Sequence, residues 1–179
     1  MFYTSSYSSP LGEITLASKQ NQLIGLWIEG QKYFGELAIA DLKYNAHLSV
    51  FDLTKKWLDN YFSGKNQTIS QLPLAPAGTP FRQKVWDILC KIPYGEVITY
   101  GDIAKQIALQ NNQAKMSSQA VGGAVGHNPI SIIIPCHRVI GANGNLTGYA
   151  GGIDKKIKLL EIEGIDTSQF FIPTKGTAL

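Results

Sequence analysis

The chain has 179 residues, a hydrophobic fraction of 44% and a formal net charge of +3. That length suits one large domain or two small ones, and the composition supplies a proper core. No run reaches the roughly 18 apolar residues of a membrane helix, and the start MFYTSSYSSP lacks both a charged n-region and an apolar h-region, so neither a membrane span nor a secretory signal is expected and the cytoplasm is the expected compartment.

Residues 2–28 read as a β-meander. Tyr3, Ser5 and Tyr7 alternate up to the turn Ser9-Pro10-Leu11-Gly12, Ile14 to Ala17 form a second strand, and Leu23 to Ile28 form a third after Asn21-Gln22. From Val50 to Phe62 apolar residues recur at helical spacing, with Ser63-Gly64 at the end. The stretch SQLPLAPAGTP, residues 70–80, holds three prolines and a glycine and marks a domain boundary. Thr79-Pro80 then predicts an N-cap and first helical residue, with Phe81, Val85, Ile88, Leu89 and Ile92 on one apolar face. Thr99 predicts the cap of a helix from Tyr100 to about Ala108, with Asp102 in its first turn. Ser117 or Ser118 caps a further short helix, SSQAVGGAVG, stopped by Asn128-Pro129. A strand Ile130–Ile134, a turn Gly141–Gly144, a second strand to Tyr149 and a last helix Asp154–Glu163 complete the chain. Helix, loop, helix and β-ribbon together resemble a helix-turn-helix with a wing.

The expected fold class is therefore α/β (α+β). A small N-terminal α/β domain, residues 1–75, holds the β-meander and a helix. A C-terminal winged-helix-like domain, residues 76–179, holds the helix-turn-helix and a candidate active-site cysteine. Residues 1–77 carry six Lys and six acids, whereas residues 78–179 carry ten Lys or Arg against seven acids, so the positive excess lies in the second half. A polyanionic partner would suit that half.

Only two cysteines occur, Cys90 and Cys136, and the three histidines are scattered. No disulfide framework, metal site or cofactor is expected. Cys90 sits beside Leu89 in a helix and reads as an inert core thiol. Cys136 differs: it follows Pro135 at the end of an apolar run and precedes His137 and Arg138, which are costly to bury without partners. A base such as His137 needs a third group to orient it. Asp154, Glu161, Glu163 and Asp166 are the available acids; Glu163 is favoured, though spacing alone does not choose it. Gly122, Gly123 and Gly126 cost a helix about 1 kcal/mol each relative to alanine. Either tight internal packing or close approach of this face to a nucleic-acid backbone would explain them. They do not match a dinucleotide-binding loop. A thiolate just after a DNA-facing helix points to chemistry on a flipped base.

At Ile134-Pro135-Cys136-His137-Arg138-Val139 the sequence resembles the active-site signature of the O6-alkylguanine-DNA alkyltransferases. Phe81–Trp86, Ile92–Glu96, Thr99-Tyr100, Ala120–Ala124, Asn128-Pro129 and Thr147–Gly152 resemble further segments of that family in order. Coverage is strong from about 80 to 165, while the first 75 residues agree only in general pattern. The resemblance implies stoichiometric transfer of an alkyl group from O6 of a flipped guanine, and possible action on O4-alkylthymine, to Cys136 in one turnover. It gives His137 the thiol proton through a water, Glu163 the task of holding His137, Asn128 a tie between helix-turn-helix and active-site turn, and Tyr100 a bond to the departing guanine. The carbonyls of Cys136 and Val139 would read the exocyclic amine, Tyr149, Ala150, Gly151 and Gly152 would line the pocket, and Arg138 would be structural. Ser118, Gln119, Ala120, Gly122 and Gly123 would meet DNA in the minor groove. The partner implied is double-stranded DNA containing O6-alkylguanine, bound by a monomer, with no membrane and no metal. Gln119 departs from the arginine usual in the family and predicts weaker DNA binding. A damage-sensing DNA-binding protein without transfer is the alternative, and Cys136 argues against it. A cysteine hydrolase, which would turn over and need an oxyanion hole, and a plain winged-helix regulator are the further rivals.

Overall fold

The computed structural model describes residues 1–34 and 42–173. The chain divides into two units: residues 1–77 with 129–133, and residues 78–128 with 134–179.

The first unit is built on a sheet of order β3-β2-β1-β4. Strands β1 (Phe2–Ser9), β2 (Gly12–Lys19) and β3 (Gln22–Ile28) form the expected antiparallel meander, and β4 (Leu42–Tyr44) joins β1 in parallel. The sequence reading did not include β4, whose three residues carry no alternation long enough to signal a strand. Helix α1 (Ser49–Phe62) packs on the sheet and buries Val50, Phe51, Thr54, Trp57, Leu58 and Tyr61. Leu48 at its N-cap has no side-chain acceptor; instead Asn21, held at φ 58° in the β2–β3 turn, accepts from Val50 N at 3.3 Å. Gly64, at φ 80°, follows the helix in the left-handed conformation that ends so many helices. The outer edge of β3 is covered on its own side by two short segments. Leu23 exchanges hydrogen bonds with Pro73 and Ala75, and Leu26 does so with Pro129 and Ser131. A covered edge offers no template for a foreign strand.

The second unit is mainly helical. Thr79 caps α2 (Pro80–Leu89) by accepting from Arg82 N, and Thr99 caps α3 (Tyr100–Gln110) by accepting from Asp102 N. Ser117, rather than Ser118, caps α4 (Ser118–Gly126). Val85, Trp86, Ile88 and Leu89 of α2 are buried with Ile103, Ala104 and Ile107 of α3 and Val121, Ala124 and Val125 of α4. Trp86 Nε1 donates to the Ala124 carbonyl at 2.9 Å, which fixes α2 against α4. Strand β5 (Ile98–Thr99) pairs in parallel with β6 (Val139–Ile140), and α5 (Ile153–Ile162) follows.

The ribbon expected between 130 and 149 is built differently. Residues 131–133 are turns and Ile134 a bend, with Ile132 at φ 70°, and only Ile130 makes a single bridge, to Leu26. The isoleucines are buried, but burial here does not come from a ladder. Pro129 and Pro135 lack N–H donors at both ends of the run, which works against a regular strand. After β6 the chain makes a 3-10 turn at Ala142–Gly144 and one bridge from Asn145 to Phe171. Gly144 and Gly148, both at positive φ, break the expected second strand.

Candidate active site

Cys136, His137 and Arg138 form a single 3-10 turn, and all three are buried. The apolar run therefore ends in a bend rather than in an extended chain. Asn128, two residues beyond the end of α4, reaches this turn from behind. Its Nδ2 donates to the Ile134 carbonyl at 2.8 Å and to Cys136 Sγ at 3.1 Å. One amide thus orients both the backbone before the cysteine and the sulfur itself.

His137 Nε2 lies 2.6 Å from Glu163 Oε1. Glu163 follows α5, the position that the sequence favoured among four acids. The same carboxylate accepts from Arg138 Nε at 2.8 Å, from Arg138 Nη2 at 3.0 Å and from Gly95 N at 3.2 Å. Arg138 Nη1 donates to the Ile92 carbonyl at 2.6 Å, and its guanidinium lies 5.8 Å from the Tyr94 ring centre. Burial alone would raise the Glu163 carboxyl, but the bonds and charges of His137 and Arg138 outweigh it and hold it at about 2. Burial pushes the His137 imidazole below its ordinary value despite Glu163. Burial also pushes the Cys136 thiol up, against the Asn128 bond and the Lys156 charge. These shifts favour a protonated thiol beside a neutral imidazole and an ionised carboxylate.

Tyr100, the first residue of α3, directs its hydroxyl to the Thr147 and Gly148 carbonyls, each at 3.2 Å. A side chain at Gly148 would stand 2.7 Å from that hydroxyl, so the close approach needs glycine there. Tyr149 is buried and its ring covers Gly151, where an added Cβ would lie 2.7 Å from the ring. Ala150 and Gly151 are half-buried and Gly152 is exposed.

Lys156 is the residue that the sequence reading missed. It is fully buried on α5, and its Nζ donates to the Val139 carbonyl at 2.5 Å and to the Thr147 carbonyl at 2.8 Å. Burial lowers its amine to about 8, with Cys136 pulling the other way. The signal was present: Lys156 falls on the same helical stripe as Ile153 and Leu160, where a cation is out of place. Val139, read from the sequence as a substrate-reading carbonyl, thus has one lone pair engaged by a cation and a second with which to accept.

On α4, Ser118, Gln119, Ala120 and Gly123 are exposed, and Gly122 is half-buried beside the Tyr100 ring. An added Cβ at Gly123 would meet nothing within 4 Å. Internal packing therefore does not require glycine at this position. Cys90 is half-buried, and burial pushes its thiol up to about 11, away from reactivity. Among the described residues no group of three or more His, Cys, Asp or Glu side chains is placed to hold a metal ion. No helix among them is long and apolar enough to cross a membrane.

Comparison with known proteins extends over nearly the whole chain. The family model of the 6-O-methylguanine DNA methyltransferase DNA-binding domain matches residues 80–165, and that of the ribonuclease-like domain of the same family matches residues 2–76. The methylated-DNA–protein-cysteine methyltransferase of Haemophilus influenzae is 40% identical over 167 residues, covering 92% of this chain and 87% of its own. That of Methanosarcina acetivorans is 40% identical over 176 residues, covering 90% of this chain and 98% of its own. The crystal structure of Mycobacterium tuberculosis OGT in complex with DNA aligns with a TM-score of 0.80 at 40% identity, covering 94% of each chain.

Proposed function

The chain belongs to the 6-O-methylguanine DNA methyltransferase family, and from that premise we propose that it is a methylated-DNA–protein-cysteine methyltransferase, which repairs O6-alkylguanine in double-stranded DNA by direct reversal, moving the alkyl group to its own Cys136. The observation that carries the assignment of residues is the single turn in which a thiol held by Asn128 adjoins an imidazole held by Glu163.

The guanine leaves the stack, because its O6 substituent is out of reach inside the duplex. With Nε2 of His137 donating to Glu163, Nδ1 is the nitrogen that accepts a proton. The Cys136 thiol gives its proton to His137 through a water, and the thiolate attacks the alkyl carbon. The new S–C bond forms as the O6–C bond breaks, and the electron pair of that bond leaves on guanine. Tyr100 then turns its hydroxyl from the Thr147 and Gly148 carbonyls to the base, where the bond offsets the developing negative charge. The carbonyls of Cys136 and Val139 accept from the exocyclic amine, and Tyr149, Ala150, Gly151 and Gly152 enclose the base. The thioether is stable, so each molecule reacts once.

DNA is bound on α4 through Ser118, Gln119, Ala120, Gly122 and Gly123, small or neutral residues suited to the narrow minor groove. A Gly123 that nothing inside the protein requires supports this reading. Gln119 fills the gap left by the flipped guanine without bringing a charge. Two free thiols suit a reducing compartment, and the cytoplasm is the proposed location.

The test is a short duplex carrying one O6-methylguanine, followed by a peptide mass map. One added methyl on the Cys136 peptide, saturating at one per molecule, is the expected result. Tight binding without added mass would replace the transfer reading by that of a damage sensor.

A further inference from the structure

Glu163 is not the partner of His137 alone. Its two carboxylate oxygens receive four donors, and two of these come from one guanidinium: Arg138 Nε on Oε2 at 2.8 Å and Arg138 Nη2 on Oε1 at 3.0 Å. The second of these shares Oε1 with His137 Nε2. The guanidinium is itself anchored by the Ile92 carbonyl, and the carboxylate side chain has no exposure at all. Such a fork is rigid, always charged and bidentate, which a lysine or a neutral donor does not reproduce.

A histidine whose only buried neighbour is a carboxylate becomes a stronger base, because the carboxylate stabilises the imidazolium. Here the carboxylate is already neutralised by a cation in contact with the same oxygen. We propose that Arg138 is a positioning residue that restrains the reaction: by occupying both oxygens of Glu163 it holds His137 in place while denying it the full charge of its partner. This keeps the imidazole neutral in the DNA-free protein and the Cys136 thiol protonated and quiet toward electrophiles other than the substrate. The proposal rests on the reading of Cys136 and His137 as the reacting thiol and its base. It replaces the purely structural role that the sequence suggested for Arg138.

The charged and titratable groups around the imidazole agree with this. Burial is the largest influence and pushes its proton affinity down; Glu163, after α5, pulls it up, and Arg138 in its own turn and Lys156 on α5 push it down again. Cys136 precedes it in the turn, and Tyr94 from the segment between α2 and β5 lies against the guanidinium. Two buried cations thus face one buried anion, so an additional positive charge on His137 is disfavoured until a thiolate forms beside it.

The test needs no DNA. Cys136 is alkylated with iodoacetamide across pH 5.5 to 9.5 and the Cys136 peptide is quantified by mass. In that reaction the sulfur displaces iodide as the S–C bond forms, and the thiol proton passes to His137 and then to solvent. The wild-type protein is expected to react slowly at pH 7 and to accelerate only on the alkaline side. R138M is expected to react about tenfold or more faster at pH 7, with its profile moved to lower pH by a unit or more. R138K, which keeps the charge but cannot occupy both oxygens of Glu163, is expected to fall between the wild-type and R138M profiles. A folded R138M with the wild-type profile would overturn the proposal. Should R138M not fold, the imidazole of His137 is titrated by NMR in the wild-type protein. A neutral ring at pH 7 is expected, and an imidazolium there would overturn the proposal equally. Failure of methyl transfer from O6-methylguanine, with these profiles as expected, would instead count against the proposed function alone.

Discussion

The two units bury different kinds of polar group. In the first, the buried polar side chains among the described residues are Ser5, Ser18, Gln31, Thr54 and Ser131, all neutral. In the second they are Asn128, His137, Arg138, Lys156 and Glu163, four of them ionisable. The first unit therefore holds itself together by apolar burial and strand ladders, terms that vary little with pH. The second carries a cluster whose charges are stable only in one another's company, which is costly for folding and is the usual mark of a reacting site. The two units are thus distinguished by the type of group taken out of water.

The sharpest way to break that contrast is to change the cluster and watch function and stability together. Cys136→Ser should abolish methyl transfer while shifting stability by no more than about 1 kcal/mol, since a hydroxyl still accepts from Asn128. Glu163→Gln should lower transfer by about a hundredfold or more. It should also destabilise the fold by about 3 to 5 kcal/mol, because Arg138 is left buried without its anion; denaturant melts and single-turnover rates measure both.

The pH dependence of stability gives two further limbs. Glu163, held at about 2 against an ordinary 4.5, contributes stability that is complete above pH 4.5 and is lost as the pH falls toward 2. Lys156 acts in the opposite sense. Its amine is lowered from 10.5 to about 8, so between those values the unfolded chain binds more protons than the folded one, and stability should rise with pH across the window. Lys156→Met should remove that rise, and melts at pH 8 and pH 10 would show whether it does. Gln119→Arg should tighten DNA binding by about tenfold or less and steepen its salt dependence, with the transferred group unchanged. Smallest of all, Ser5→Ala and Ser18→Ala should alter stability by under about 1 kcal/mol, because their buried hydroxyls find no partner among the described residues. A large loss there would mean that the first unit also depends on a polar network.

The sequence was most legible where a local rule decides structure. Thr79, Thr99 and Ser117 cap the helices that they precede, because a short side-chain oxygen satisfies an N–H whatever lies beyond. The meander was legible through its turns. The run Ile130–Ile134 misled, because an apolar stretch can be buried by packing alone, and a β-branched residue gives no sign of the left-handed backbone that Ile132 adopts. The site divides in the same way. Cys136, His137 and Asn128 stand in a recognisable order along the chain. The four donors on Glu163 and the two carbonyls held by Lys156 arise from residues up to 68 positions apart, and no local pattern contains them.

The excursion at 129–133 bears on how this protein can be divided. Asn128 and Ile134 belong to the second unit and the five residues between them to the first, and the Asn128–Ile134 bond ties the neck of that loop beside the Cys136 sulfur. The chain is therefore sewn rather than strung. Cutting at residue 78 would yield a C-terminal fragment carrying a loop whose β3 partner had been left behind, with Ile132 freed to relax into an ordinary conformation only a few residues from Cys136. Split reporters, domain grafts and truncations of this protein should accordingly keep the β3 edge with the loop it holds, or shorten the loop at its neck.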